Sequence, residues 1–159
     1  MILRTILFIL RTILFLILNF TALALGGLFT SKGVPSEWYL TLLKAPWTPP
    51  GWVFGFAWSI IMIFYSLYMA SLFNSNHKKT TIVFFYIFQL ILNISWNPVF
   101  FKYHYVFLGL LVISLLCLII IYKLIFFYKE MGFKSFLILP YVLWLIIATS
   151  LNGYILFNN

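Results

Sequence analysis

The side chains in this sequence that suit chemistry in an apolar setting are indoles and amides, and they recur at helical spacing. Gln89, Asn93, Trp96 and Phe100 fall at i, i+4, i+7 and i+11, which is one face of a helix. Phe54, Trp58, Met62 and Tyr65 form a similar face, as do Trp144, Ala148, Leu151 and Asn152. Asn19, Ala22 and Gly26 add a stripe of small or polar residues. Such sets favour binding over reaction: indoles stack on flat apolar molecules, and a few amides orient them. Conventional catalysis finds few parts here. Glu37 and Glu130 are the only acids, His77 and His104 the only imidazoles, and Cys117 the only thiol. The sequence contains no glycine-rich phosphate loop, no HExxH and no GxSxG.

Composition dictates the elements that must carry these faces. The chain has 159 residues, of which 65% are hydrophobic, 22% aromatic and 8% charged. A soluble domain usually carries roughly 25% charged residues. The net charge of +8 sits in short clusters between apolar runs, whereas a nucleic-acid-binding module spreads its basic residues over a folded face. Disorder is aromatic-poor. An all-α, polytopic membrane protein remains, read as a single domain over residues 1–159 with five transmembrane helices.

A spanning helix needs about 20 mostly apolar residues. The expected spans are Thr5–Phe29, Trp52–Phe73, Thr80–Phe101, Tyr105–Phe127 and Ser135–Phe157. Short polar breaks separate them at Ser75–Lys79, Lys102–His104 and Lys129–Gly132. The one long connection, Thr30–Gly51, holds Pro35, Pro46, Pro49 and Pro50. No inverted repeat of the transporter kind is visible. The apolar run Thr12–Phe29 exceeds the ~7–15 residues of a signal-peptide core, so it is read as a retained span, although Ala22-Leu23-Ala24 has the form of a cleavage site. Span four, nearly uniform Leu, Ile and Val from Leu108 to Ile121, is expected to face lipid most.

Arg4, Arg11, Lys78, Lys79, Lys129 and Lys134, with Lys123 nearest them, fall on one side of the membrane; Lys32, Lys44 and Lys102 fall on the other. The positive-inside rule then places the N-terminus in the cytoplasm, and the long loop and C-terminus outside. The two acids lie on opposite sides, as do the two histidines, so neither a carboxylate pair nor a shared metal site forms. No span carries an acid or a basic pair of the kind proton pumps use.

At ~1.5 Å rise per residue, Trp58 lies about 9 Å below the outer end of its span, and Asn93 and Trp96 about 12 and 8 Å below theirs. Ala148 and Asn152 lie in the outer half of span five, with Trp144 about 20 Å from its end. The polar and aromatic faces therefore meet in one leaflet, beneath Trp38, Tyr39 and Trp47. They form an expected aromatic cavity under a proline-stiffened lid. Each position also has a plainer use. Trp38, Trp47 and Trp52 suit an interfacial belt, Trp58 and Trp144 suit core packing, and Asn93 suits a bond between helices.

Trp38-Tyr39, Leu43-Lys44-Ala45-Pro46-Trp47-Thr48-Pro49-Pro50-Gly51, Phe54-Gly55 and Trp58 resemble the first loop and second helix of the TspO/translocator protein family. Asn93 with Trp96-Asn97-Pro98-Val99-Phe100-Phe101 resembles its third-helix signature, and Pro140–Trp144 with Ala148–Asn152 its fifth. The resemblance implies a five-helix bundle, commonly homodimeric, with a pocket beneath the first loop. Its ligands are porphyrins such as protoporphyrin IX and haem, cholesterol in animals, and isoquinoline or benzodiazepine drugs. By position, the ligand-binding residues would be Tyr39, Pro49, Phe54, Trp58, Met62, Asn93, Trp96, Ala148 and Leu151, with Trp144 expected against the macrocycle. Trp38 and Trp144 match the two tryptophans associated with light-dependent porphyrin degradation in bacterial members.

Three departures stand out. Proline follows Lys44 one residue late, at Pro46; Trp96 is followed by Asn97; and no Lys or Arg follows Tyr154, which leaves the terminal cholesterol pattern incomplete. A looser version at Leu124, Tyr128 and Lys134 carries little weight. The resemblance and the charge bias together point to a bacterial inner-membrane member. The expected activity is a receptor or sensor for tetrapyrroles that needs no cofactor, with porphyrin or haem as ligand and membrane lipid as surroundings. Porphyrin breakdown driven by light and oxygen, with Trp38 and Trp144 as catalytic donors, is the enzymatic alternative. A carrier of porphyrins or lipids is the third. Small-residue faces at Ala22–Gly26 and at Ser59, Ser66 and Ala70 serve either a homodimer or packing within one bundle.

Overall fold

A computed structural model describes residues 2–159. In chain order the elements are α1 (Ile2–Gly33), α2 (Glu37–Thr41), α3 (Gly51–Phe73), α4 (Lys79–Asn97), a π turn (Pro98–Lys102), α5 (Val106–Phe126), α6 (Tyr128–Met131), a 3-10 segment (Gly132–Ile138) and α7 (Leu139–Asn158). Five stretches are long and apolar enough to cross a membrane: α1, α3, α4 with its π turn, α5, and α6 through α7. In hydrocarbon the backbone must satisfy its own hydrogen bonds, which restricts apolar runs of this length to helix. The five expected spans are present with shifted ends. Helix α1 runs on to Gly33, and span five becomes regular helix only at Leu139. Gly132 takes a φ of 51°, and the tighter 3-10 winding follows it up to the turn where Pro140 occupies the helix start.

The helices close into a ring: α1 lies between α3 and α4, α4 neighbours α5, α5 neighbours α7, and α7 returns to α3. Helix α1 buries Phe15, Asn19, Ala22, Gly26 and Gly33, a single narrow face. Helix α5 buries Gly109, Ile113, Leu116, Cys117, Ile119, Ile120 and Lys123. This corrects the expectation that span four faces lipid most, because α1 is the most exposed span. A run of uniform Leu, Ile and Val carries no polar marker to say which side is buried.

Close approach and polar bonds hold the ring. A Cβ on Gly33 would lie 2.4 Å from Cδ1 of Phe101, and one on Gly26 would lie 2.5 Å from Nδ2 of Asn97, so α1 seats directly on α4 and its π turn. Asn19 is buried where α1, α3 and α4 meet. Its Nδ2 donates to Ser66 Oγ at 2.9 Å, and its Oδ1 accepts from the Tyr86 hydroxyl at 2.9 Å. Ala22, Gly26, Ser66 and Ala70 are all buried within this one chain, so packing inside the bundle consumes most of the two small-residue faces.

Lys123 was expected beside the loop lysines, but it is fully buried. Its Nζ donates to the Tyr65 hydroxyl, lies 4.8 Å from that ring's centroid and contacts Met69 Sδ at 3.5 Å. The last turn of α5 thus directs the amine inward rather than along the surface.

The loop of residues 34–50 is fixed at several points. Ser36 caps α2, accepting from Tyr39 N at 3.3 Å and donating to the Gly33 carbonyl at 2.6 Å. Asn159 bonds both backbone groups of Leu43, at 2.8 and 3.3 Å, and Trp47 Nε1 donates to Ser150 Oγ at 3.2 Å. Pro98 opens the π turn, in which Tyr103 N reaches the Pro98 carbonyl at 3.0 Å, and the wider winding buries Phe100 and Phe101.

Asn19→Ala leaves two buried hydroxyls short of a partner and should destabilise the bundle by about 1–2 kcal/mol. Reversible unfolding in mixed micelles measures this. Tyr86→Phe added to Asn19→Ala should cost less than Tyr86→Phe alone, whereas fully additive costs would show that the bond contributes nothing.

Candidate functional site

Above Asn19 the ring opens into a cavity of about 560 Å³, covered by the loop. Ligand pockets typically measure roughly 300–1,000 Å³. Helix α3 supplies Phe54 and Trp58, α4 supplies Asn93, Trp96 and Asn97, and α7 supplies Ala148, Leu151 and Asn152. Thr30 comes from α1, Ile113 and Leu116 from α5, and Tyr39, Lys44, Thr48 and Pro49 from the loop. Gly27, Gly51 and Gly55 also line it, and a Cβ at any of them would meet nothing within 4 Å. Three missing side chains thus contribute to the volume.

The aromatic walls are braced from behind. Trp96 stacks on Phe100 with centroids 5.2 Å apart and planes at 14°, while its Nε1 donates to Asn152 Oδ1 at 3.1 Å. Asn152 Nδ2 in turn donates to the Val106 carbonyl at 3.1 Å, tying α7 to α5. Trp58 packs edge-on to Tyr141 at 5.8 Å. Asn97 bridges α1 and α4, accepting from the Thr30 hydroxyl at 2.7 Å and donating to the Asn93 carbonyl at 3.2 Å. Asn93 Nδ2 donates to the Tyr141 hydroxyl, which Gln89 Nε2 also reaches at 3.4 Å. The Oδ1 of Asn93 bonds no described residue, which leaves an acceptor at the cavity wall.

Tyr39, Pro49, Phe54, Trp58, Asn93, Trp96, Ala148 and Leu151 from the expected set all line the cavity. Met62 and Trp144 do not. Four residues advance a helix by about 400°, so a series at i, i+4 and i+8 drifts about 80° off its face, and Met62 is buried in the core beneath the cavity. Trp144 is buried one ring behind the wall, edge-on to Phe54 at 5.3 Å, with its Nε1 unpartnered. Trp38 packs outside, against Phe100 at 5.5 Å and stacked on His104 at 4.0 Å. Trp52 is 71% exposed and takes no part in the cavity.

Sequence reasoning missed Lys44, Thr30 and the pair Ile113 and Leu116. In the sequence Lys44 marks orientation and the first-loop motif, neither of which says that it reaches a cavity. The α5 pair has no feature to separate it from the helix's other aliphatics.

The model of the TspO/MBR family matches residues 13–157. The chain is 34% identical to the tryptophan-rich protein TspO of Chlorobaculum tepidum, over 84% of this chain and 86% of that one. It is 32% identical to the protein CrtK of Rhodobacter capsulatus, over 84% and 85% of the two chains. With the human translocator protein it shares 30% identity, over 81% and 80%.

Burial holds the Tyr39 hydroxyl above the ordinary tyrosine value of 10.0. A group whose folded value is raised stabilises the packed loop fully below the unfolded value, and that contribution is lost as pH rises through the folded one. The ultraviolet phenolate difference between the wild type and Tyr39→Phe should therefore titrate above pH 10.0. Titration at the ordinary value would mean that the ring is not packed as described.

Proposed function

The chain belongs to the TspO/MBR family, and from that premise we propose that it is a membrane receptor binding tetrapyrroles, protoporphyrin IX or haem, in the cavity beneath its first loop. The observation that carries this reading is the cavity wall. Two indoles, Trp58 and Trp96, and the rings of Phe54, Phe100 and Phe101 surround a space whose polar contribution is a few amides and hydroxyls and the amine of Lys44. A flat conjugated ligand gains affinity from such rings by stacking, and the few polar groups on the wall orient it. No further cofactor is needed for binding.

The protein is an integral membrane protein, with five apolar helices and this family membership. We place the loop end and the C-terminus outside and the N-terminus in the cytoplasm, on the balance of lysines and arginines between the two ends, in a bacterial inner membrane. A second copy would have to pack on faces other than the buried Ala22, Gly26, Ser66 and Ala70. Beneath the cavity the bundle is packed solid by Tyr65, Tyr68, Met69, Leu72, Ile120 and Tyr141. That plug favours a receptor over a carrier, which needs a path to the other leaflet. The photochemical alternative has its two donors, Trp38 and Trp144, one ring behind the wall, so Trp58 and Trp96 are the indoles a ligand would touch.

Protoporphyrin IX should quench the protein's tryptophan fluorescence saturably in nanodiscs. Trp58→Ala should weaken its binding about three- to tenfold. Ala148→Phe, which adds a ring inside the cavity, should abolish it, and Trp52→Phe should leave the affinity unchanged. Equal losses in Trp58→Ala and Trp52→Phe would remove the cavity as the site.

A further inference from the structure

Resting on the cavity being the ligand site, we propose that Lys44 makes it selective for ligands that carry an anionic group. The lysine would read a carboxylate or similar anion at the mouth while the apolar body stacks inside. Among the described residues Lys44 is the only charged side chain on the wall; the other polar side chains there are amides, hydroxyls, one phenol and two indoles. It is half-buried, in a loop where Ala45 is buried. The adjoining turn is closed by Thr48 N and Oγ1 on the Ala45 carbonyl at 2.9 and 2.7 Å. Backbone this constrained fixes the point beside the cavity from which the side chain extends.

The amine has little to hold it besides a ligand. Its Nζ lies 4.6 Å from the centroid of the Tyr39 ring and contacts one carbonyl, that of Leu42, at 3.5 Å. A lysine ammonium has three donors, so most of its hydrogen-bonding capacity is unspent. Among the described residues no carboxylate pairs with it, and the ion-pair contact present, His77 with Glu130 at 3.5 Å, ties together other loops. Glu37, the acid of the same loop, is exposed and off the wall.

The other basic residues placed toward this end, Lys32 and Lys102, are exposed and do not line the cavity. A cation at the edge of a low-dielectric space attracts an anion more strongly than one in open water does. The N-terminus of α3, with Gly51 on the wall and no acid in its first turn, adds a field of the same sign. With the acceptor of Asn93 in the same wall, the site offers complementary groups to a flat molecule with an acid group on one edge and an N–H elsewhere.

The test compares each acid with its neutral ester in the same nanodiscs, by tryptophan quenching. The pairs are protoporphyrin IX with its dimethyl ester, and pyrenebutyric acid with its methyl ester. The acid-over-ester preference should fall about tenfold in Lys44→Met, persist in Lys44→Arg and be unchanged in Lys102→Met. Reading the change in preference between variants cancels differences in how acid and ester partition into the lipid. A preference that survives in Lys44→Met for both pairs, or an absence of any acid preference in the wild type, overturns the proposal. If neither tetrapyrrole binds while pyrenebutyric acid is still favoured through Lys44, the tetrapyrrole reading fails and the anion selectivity stands.

Discussion

A polar group inside an apolar bundle must find its partner within the protein, because lipid offers none. That constraint divides the molecule into a closed half and a hollow half. In the closed half Asn19 is satisfied by Ser66 and Tyr86 from the two helices beside it, so α1, α3 and α4 are pinned at one level. Lys123 finds the Tyr65 hydroxyl, which joins α5 to α3. Tyrosine, with a large ring and one hydroxyl, fills volume and bonds at the same time. Tyr65, Tyr68 and Tyr141 are accordingly almost wholly buried there.

In the hollow half the amides also bond mostly to the protein, and this allows a space to exist among them. The Trp96 indole is held by Asn152, and Asn97 by Thr30 and the Asn93 carbonyl, so neither amide must collapse inward to find a partner. The loop is equally committed. Asn159 and Ser150 anchor it to α7 while Ser36 caps its short helix. Trp38 lies on His104, whose φ of 57° is one that histidine tolerates better than most residues. Roof and walls are thus built from separate bond sets, and a ligand can occupy the space without displacing any of them.

The five spans were legible because their lengths and polar breaks are unambiguous, and Trp58, Asn93 and Trp96 because an indole or amide in an apolar run marks the buried face. The rest was hidden for physical reasons that differ by residue. Helix α5 contributes Ile113 and Leu116 to the cavity, but a helix rich in aliphatics on every side has no readable face. Trp144 sat at the expected depth, yet depth along an axis says nothing about rotation around it, and its ring turned behind Phe54. Lys123 looked like a loop lysine by position; only the tyrosines of another helix, distant in sequence, make its burial possible. The π turn after Asn97 depends on a proline that was visible, but its effect on Phe100 and Phe101 depends on the wider winding that follows.

Asn93 sits at the joint between the two halves. Its backbone carbonyl receives Asn97, its Nδ2 reaches Tyr141 and its Oδ1 is left for the cavity. Tyr141 packs edge-on against both Trp58 on the wall and Tyr65 in the closed half, at 5.8 and 5.3 Å. An occupant that bonds Asn93 therefore bears on a side chain already coupled to the rigid floor, not on a mobile one. A closely packed floor gives a binding site little freedom to lose on ligand capture, and it lies between the cavity and the opposite end. The cavity's lining at the loop half holds Lys44 and the glycine-lined wall of α1 and α3, which are the groups a ligand arriving from that side would meet first.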